Sequence, residues 1–437
     1  MCYNGSFNHE TLRTKSKTLH PMIHQRTLSN GLSLVVEEIP DHPLVALNLW
    51  YHVGSRNERP GRTGFAHLFE HLLFEGSAHV ADNEHFRYLE QVGAYVNGST
   101  WYDRTNYYET LAAEALPLAL WLESDRMGFF LETLNEEKLN TQRNVVKNER
   151  RWRVDNRPYG LWDERLFELA YPADHPYHHS VIGSMEDLDC ATLDDVRHFF
   201  QTYYVPNNAV LTLVGGITLD HAVREVERYF GEIEPGNLLA PSPVTSFGRH
   251  IPASETRSDK VELARTYILY HLPPYGDPEV RSADLTSTFF ANGFSSRLYR
   301  HLVAEKSLAV DLGGWILPLE LGSVLIFVIT WSGSCPPDRG LEAFDQQIQD
   351  LHLTPPSPDE IDKARRILRA EWTREFENLG KRADLLSMGT TFFSNPSWGS
   401  EEMNRLRDHS RSDVLDFIES RLIHAQRSVL TFTPESQ

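Results

Sequence analysis

The segments DDVRHFFQTYYVPNNAVLTLV (residues 194–214) and SDVLDFIESRLIHAQRSVLTFT (residues 412–433) repeat one pattern. Val196 and Phe199 match Val414 and Phe417 at an offset of 218, and after one inserted residue Val210, Leu211 and Thr212 match Val429, Leu430 and Thr431. Each copy reads as an amphipathic helix leading into a buried strand. Each closes a unit of about 215 residues that opened with strands, far longer than the ~20–50 residues of a solenoid repeat. The repeat therefore predicts an α+β chain of two homologous domains, each a mainly antiparallel sheet with helices packed on one face. The expected division is an N-terminal arm over 1–25, a first domain over 26–233, a Pro/Ser/Gly-rich linker over 234–258 and a second domain over 259–437.

Within the first unit, 32–38 and 45–53 read as strands, 95–111, rich in Thr, Tyr and Asn, suits a strand or hairpin, and 114–131 and 136–154 carry helical periodicity with Asn135 as N-cap of the second. Between them FAHLFEHLLF, residues 65–74, is apolar nearly all round yet holds His67, Glu70 and His71. A helix of that kind is buried, and buried ionisable groups need a partner. His67 and His71, four apart, leave one helical face one turn apart, a spacing at which two imidazoles bind one zinc ion. Glu70 sits where it can reach water at the metal without displacing a histidine. The order is HxxEH, the inverse of HExxH.

Catalytic zinc takes three protein ligands, so a third is needed. On 136–154, Leu139, Gln142, Val145, Val146, Glu149 and Trp152 fall on one stripe, which puts the Glu149 carboxylate on the buried face. An ion pair with Arg153, four residues on, is the plainer reading of Glu149. His175, His178 and His179 cluster in a Pro-flanked loop without an acid at ligand spacing and read as loop packing; Arg297 reads as structural.

The chain carries 42 basic and 61 acidic side chains, a net charge of −19. That argues against a nucleic-acid partner and favours, in any internal chamber, cationic peptides. No apolar stretch approaches the ~18 residues of a membrane span. The three cysteines, Cys2, Cys190 and Cys335, are scattered and predict no disulfide framework, hence a reducing compartment. The first 25 residues lack an apolar signal core; Arg13, Lys15 and Lys17 leave a mitochondrial-type presequence open, with a short polar arm as the expectation.

HLFEH, followed by Glu149 in RNVVKNERRWRVDNRPYG, resembles the pitrilysin/insulinase family of inverted-motif zinc peptidases, in its bacterial two-domain type related to mitochondrial processing peptidase. GSRNERPGRTGFAHLFEHLLFEGS, NGSTWYDRTNYYE, HPYHHSVIG and GFSSRLYRHL extend the resemblance over almost the whole chain, in family order. It implies one zinc per chain on His67, His71 and Glu149, Glu70 as general base, and Asn97 and Gly98 on the strand beside which an unfolded peptide lies. Gln142 stands where the family often has a second glutamate and would be a weaker orienting group behind the ligands. The family's Arg and Tyr, seven apart in the second half, are here Val303 and Val310, which cannot donate a hydrogen bond. The second half also lacks HxxEH. The resemblance thus implies the zinc-bearing half of a split site, completed by a homologous partner chain that supplies the Arg/Tyr pair, with a homodimer as the alternative. Rival readings are a maturation peptidase dedicated to one precursor and a non-catalytic structural subunit.

Overall fold

The computed structural model describes residues 22–238 and 253–435. Most of the expected arm and most of the expected linker lie outside these residues, as does Cys2. The first sheet has six strands, β1 (Met22–Thr27), β2 (Ser33–Glu38), β3 (Leu44–Tyr51), β4 (Tyr95–Thr100), β5 (Thr105–Ala112) and β6 (Ala209–Gly215). Their order is β1-β2-β6-β3-β5-β4. The second sheet has five, β7 (Ser254–Asp259), β8 (Arg265–His271), β9 (Ala309–Leu317), β10 (Val324–Trp331) and β11 (Arg427–Pro434), in the order β7-β11-β8-β10-β9. Each sheet is antiparallel except for one parallel pair, β2 with β6 and β7 with β11. The first sheet thus begins at Met22, ahead of the expected boundary, and the second at Ser254, inside the expected linker.

One face of each sheet carries helices of its own half. On the first, Phe65–Leu72, Leu116–Phe129, Leu193–Tyr203 and Leu219–Phe230 pack over a core that includes Leu34, Val36, Leu47 and Leu211. On the second, Pro278–Ala291, Pro337–Leu353, Pro358–Glu377 and Arg411–Ile418 cover Ile268, Leu325, Phe327 and Val429. The strands are apolar on both sides: β2 and β3 are buried along nearly their whole length. Their second faces are covered by helices from the opposite half. Leu379–Phe393 lays Ala383 and Leu386 on Val35, Ala46, Trp50, Val210 and Val214 of the first sheet. Trp162–Ala170 lays Leu166, Phe167 and Ala170 on Tyr267, Leu269, Ile326 and Leu430 of the second. These two helices sit at equivalent places in the repeat, so each half lends one helix to the other.

Polar contacts fix the exchange. The Asp384 carboxylate, carried by the borrowed helix, accepts from Trp50 Nε1 (2.9 Å), Asn106 Nδ2 (3.2 Å) and Asn48 Nδ2 (3.3 Å) of the first sheet. Arg382 pairs with the buried Glu37 carboxylate. At the other contact between halves, Arg56 bridges Asp103 (3.0 Å) and Glu320 (2.6 Å), and Glu320 also meets His52 (2.7 Å).

Candidate active site

The HLFEH helix, Phe65–Leu72, has no side-chain cap of its own, because Gly64 precedes it in a left-handed conformation (φ 84°). Glu58 takes that role from outside the helix. Its carboxylate accepts from Gly64 N (2.9 Å) and Ala66 N (2.7 Å), two of the donors a helix start leaves unsatisfied. His179 Nε2 holds the same carboxylate at 2.9 Å. Gly64 and Gly183 touch so closely that a Cβ at 183 would lie 2.3 Å from Gly64 N. The loops GSRNERPGRTG and HPYHHSVIG thus fold together around the start of this helix. His179 is a loop anchor, and His175 stacks on Tyr171 (4.4 Å between ring centroids), as the loop-packing reading expects.

Phe65, Leu68, Phe69 and Leu72 bury one side of the helix in the core, while His67, Glu70 and His71 face a cleft of about 440 Å³. The helix Glu136–Arg150, capped by Asn135 Oδ1 accepting from Lys138 N, crosses the cleft and brings Glu149. Glu149 Oε2 lies 3.2 Å from His71 Nε2 and 3.7 Å from His67 Nε2. Ligand atoms of the three residues all lie within 4.8 Å of one another. Arg153 Nη1 meets the other oxygen, Oε1, at 2.8 Å, the ion pair of the plainer reading, and leaves Oε2 toward the histidines.

Burial, and then the neighbouring His71, push the His67 imidazole down to about 4, which leaves it neutral with a lone pair to offer. Burial works to raise Glu149 too, but the hydrogen bond from His71 and the charges of His67 and Arg153 hold it below the ordinary carboxylate range. Two imidazole nitrogens and one ionised carboxylate oxygen converging on a cleft are a donor set that fits zinc. Glu70 points into the same cleft. Thr100 Oγ1 donates to its Oε2 at 2.6 Å, and burial raises its pKa against that bond.

Gly98 faces Glu70 across the cleft, and a Cβ there would meet Phe74 at 3.1 Å and Glu70 Oε1 at 3.2 Å. Asn97 is exposed and turns its Oδ1 onto Gly98 N (2.9 Å). Both lie on β4, the outer strand of its sheet. Gln142 lines the cleft but does not bond the three converging residues; its Nε2 donates to Glu75 Oε1 at 2.5 Å. The stripe expected on this helix is partly wrong. Leu139, Gln142 and Val146 are buried, but Val145 is 41% and Trp152 75% exposed. The α-helix ends at Arg150 and continues as a wider π turn over Arg151–Asp155, which swings Trp152 into solvent.

Thr100 and Glu58 escape sequence reasoning. Thr100 stands inside the segment NGST, and only the pairing of β4 with β5 shows that its side chain shares the Glu70 face. A second group, His85, Glu109 and Glu123, also gathers ligand atoms within 4.8 Å, but Arg126 lies among them and donates from Nε to Glu123 at 2.8 Å, so a cation is already in place there. In the second half, the offset of 218 carries His67, Glu70 and His71 onto Leu285, Thr288 and Phe289, all buried in Pro278–Ala291.

Residues 33–176 match the family model described as Insulinase (Peptidase family M16), and residues 191–368 match the one described as Peptidase M16 inactive domain. The zinc protease PqqE of Helicobacter pylori is 29% identical over 369 residues, covering 83% of this chain and 82% of that protein. The crystal structure of a protease from Helicobacter pylori superposes with a TM-score of 0.88 at 26% identity, over 95% of this chain and 100% of the other. A peptidase M16 inactive domain structure from Pseudomonas fluorescens shares the fold, with a TM-score of 0.83 at 17% identity over 95% of this chain and 98% of the other. The two family models together span both halves of a chain whose fold and length these relatives share: the chain belongs to the insulinase family of peptidases, peptidase family M16.

Proposed function

We propose that the chain is a zinc-dependent endopeptidase for unfolded peptides, with one zinc held by His67, His71 and Glu149 and with Glu70 as general base. The observation that carries this reading is the convergence of the three ligand groups within 4.8 Å beside a carboxylate that is free at one oxygen. Zinc, when bound, supplies Lewis acidity, which polarises a peptide carbonyl and acidifies water near neutral pH. Glu70 takes a proton from the attacking water on Oε1, while Thr100 holds Oε2. The water oxygen adds to the carbonyl carbon, the C–N bond breaks, and Glu70 returns the proton to the leaving nitrogen. An extended substrate adds to the free edge of β4 inside an enclosed cavity, pairing by backbone, which selects unfolded chains. Gly98 supports this, since it lets backbone approach Glu70 closely.

The partner reading is also ours. Val303 packs against the second core and Val310 is half exposed on β9, and neither can hydrogen-bond a substrate carbonyl. A homologous chain with an Arg/Tyr pair in its second half fills that gap in a heterodimer; a homodimer is the alternative. Cys190 and Cys335 are free, which supports a reducing compartment, the bacterial cytoplasm. No helix of the described residues is long and apolar enough to cross a membrane.

The test is metal analysis of the purified chain with peptide hydrolysis alongside. We expect about one zinc per chain, lost in His67→Ala, and retained in Glu70→Gln with hydrolysis reduced by about 10²–10⁴. Near-normal hydrolysis by Glu70→Gln would overturn the assignment of the base. Rates per zinc with and without the homologous chain test the partner; full activity of the isolated chain, unchanged by the addition, would remove it.

A further inference from the structure

The three carboxylates of the cleft keep different company. Glu70 is held by Thr100, and Glu149 by His71 and Arg153. Glu75, half-buried just past the end of the HLFEH helix, has no ion-pair partner among the described residues. The nearest ammonium, Lys138, is spent elsewhere: its Nζ donates to the Glu75 backbone carbonyl (2.8 Å) and pairs with Asp82 (2.6 Å). What holds the Glu75 side chain is the amide of Gln142, which is only 7% exposed and donates to Oε1. The second oxygen is left for a ligand. Beside it Phe74 and Phe86 stack at 4.5 Å between centroids and form an apolar wall of the same cleft. A half-buried carboxylate without a counter-ion is costly, and an apolar wall next to it suits the alkyl stem of a long cationic side chain.

We infer that Glu75, positioned by Gln142, is the recognition residue for a Lys or Arg side chain of the bound peptide. The inference rests on the proposed peptide-cleaving reading of this cleft and adds to it a substrate class. The side of the scissile bond follows from the strand. Thr100 meets Glu70 and Ala66, while Gly98 faces Glu70 and Phe74, so β4 runs opposite to the HLFEH helix and its Tyr95 end lies toward Glu75. A peptide antiparallel to β4 runs its C-terminal side toward Glu75. Glu75 lies just past the C-terminal end of the Phe65–Leu72 helix, in a turn closed by its N–H donating to the Leu72 carbonyl (3.0 Å), and so on the side of His71 away from Ala66. The cation therefore belongs on the C-terminal side of the scissile bond. Glu75 becomes a specificity residue and Gln142 its positioning residue.

The test uses the full chain and fluorescent decapeptides of neutral composition in which a single Lys is scanned against norleucine, with affinity read by anisotropy. The expected result is a peak of about tenfold for Lys at one position, lost in Glu75→Gln and replaced in Glu75→Lys by a preference for Glu at that position. Circular dichroism and zinc content confirm that both variants are folded. Equal binding of Lys and norleucine peptides by the native chain, or a Lys peak that survives Glu75→Gln, overturns the inference. A Lys peak that depends on Glu75 without any cleavage leaves this subsite standing and removes the peptidase reading. Cleavage without the peak does the reverse.

Discussion

A side chain at position 98 would occupy space that Glu70 and Phe74 already fill, since its Cβ would meet them at 3.1–3.2 Å. Gly98→Val should therefore push Glu70 off Thr100 with little effect on the fold. We expect kcat to fall by about 10²-fold, as for an ångström-scale misplacement, with secondary structure and zinc content unchanged. Arg153 acts on the other carboxylate. It engages Glu149 Oε1 and leaves Oε2 to face both histidines. Arg153→Ala should weaken zinc retention about 10–100-fold, the usual effect of removing a group that orients a ligand, measured by competition with a chelator. His67, Glu70, His71 and Glu149 are legible in the sequence because helical spacing is a local property and each position follows from the run of its own helix. Thr100 and Glu58 are not, because a hydrogen bond across 30 residues (Thr100 to Glu70) or a cap offered from the loop before the helix rather than from the N-cap position leaves no periodic trace.

Among the elements, helices with strong apolar periodicity are legible whether or not they carry a cap of their own, as Phe65–Leu72 shows. Asn135 caps Glu136–Arg150 as its position suggests, and the hairpin expected over 95–111 appears as β4 and β5. Trp152 shows where periodicity fails: the 3.6-residue count runs on into a stretch whose bonds loosen to a π turn. Arg297 repays its structural reading. It donates to both oxygens of Glu360, from Nε and Nη2 at 2.7 Å each, and to the Thr354 carbonyl at 2.6 Å, so it clamps the turn between Pro337–Leu353 and Pro358–Glu377. That hydrogen-bonded guanidinium holds Glu360 down to about 2. The folded state therefore favours the ionised acid. The pair's stabilisation is present above about pH 4.5, the unfolded value, and is lost as pH falls toward 2. Solvent at the pair trims its contribution to about 1–2 kcal/mol. Glu360→Gln should lower stability by that amount at pH 7, and the gap from the native chain should close by pH 2–3 in denaturant titrations.

For the molecule as a whole, the decisive contacts are those of the exchanged helices. Arg382 neutralises Glu37, which is 1% exposed, and Arg382→Met would leave that carboxylate buried and alone. A loss of about 3–5 kcal/mol is expected, measured by chemical denaturation. Because each sheet is finished by a helix from the other half, the halves should unfold together, in a single calorimetric transition; two resolved transitions would contradict this coupling. The repeat at 194–214 and 412–433 reveals two like units, but not that they trade helices, since an apolar helix face carries no label saying which sheet it covers. The trade has a consequence for ancestry. A chain holding one copy of this unit would have exposed Val35, Ala46, Trp50, Val210 and Val214 unless a second copy lent its helix. An ancestor of one unit could have covered those faces by trading the equivalent helices between two copies, and this chain carries both copies on one backbone. One half holds His67, Glu70 and His71, while the other has Leu285, Thr288 and Phe289 at the positions an offset of 218 gives and still covers the first sheet with Leu379–Phe393.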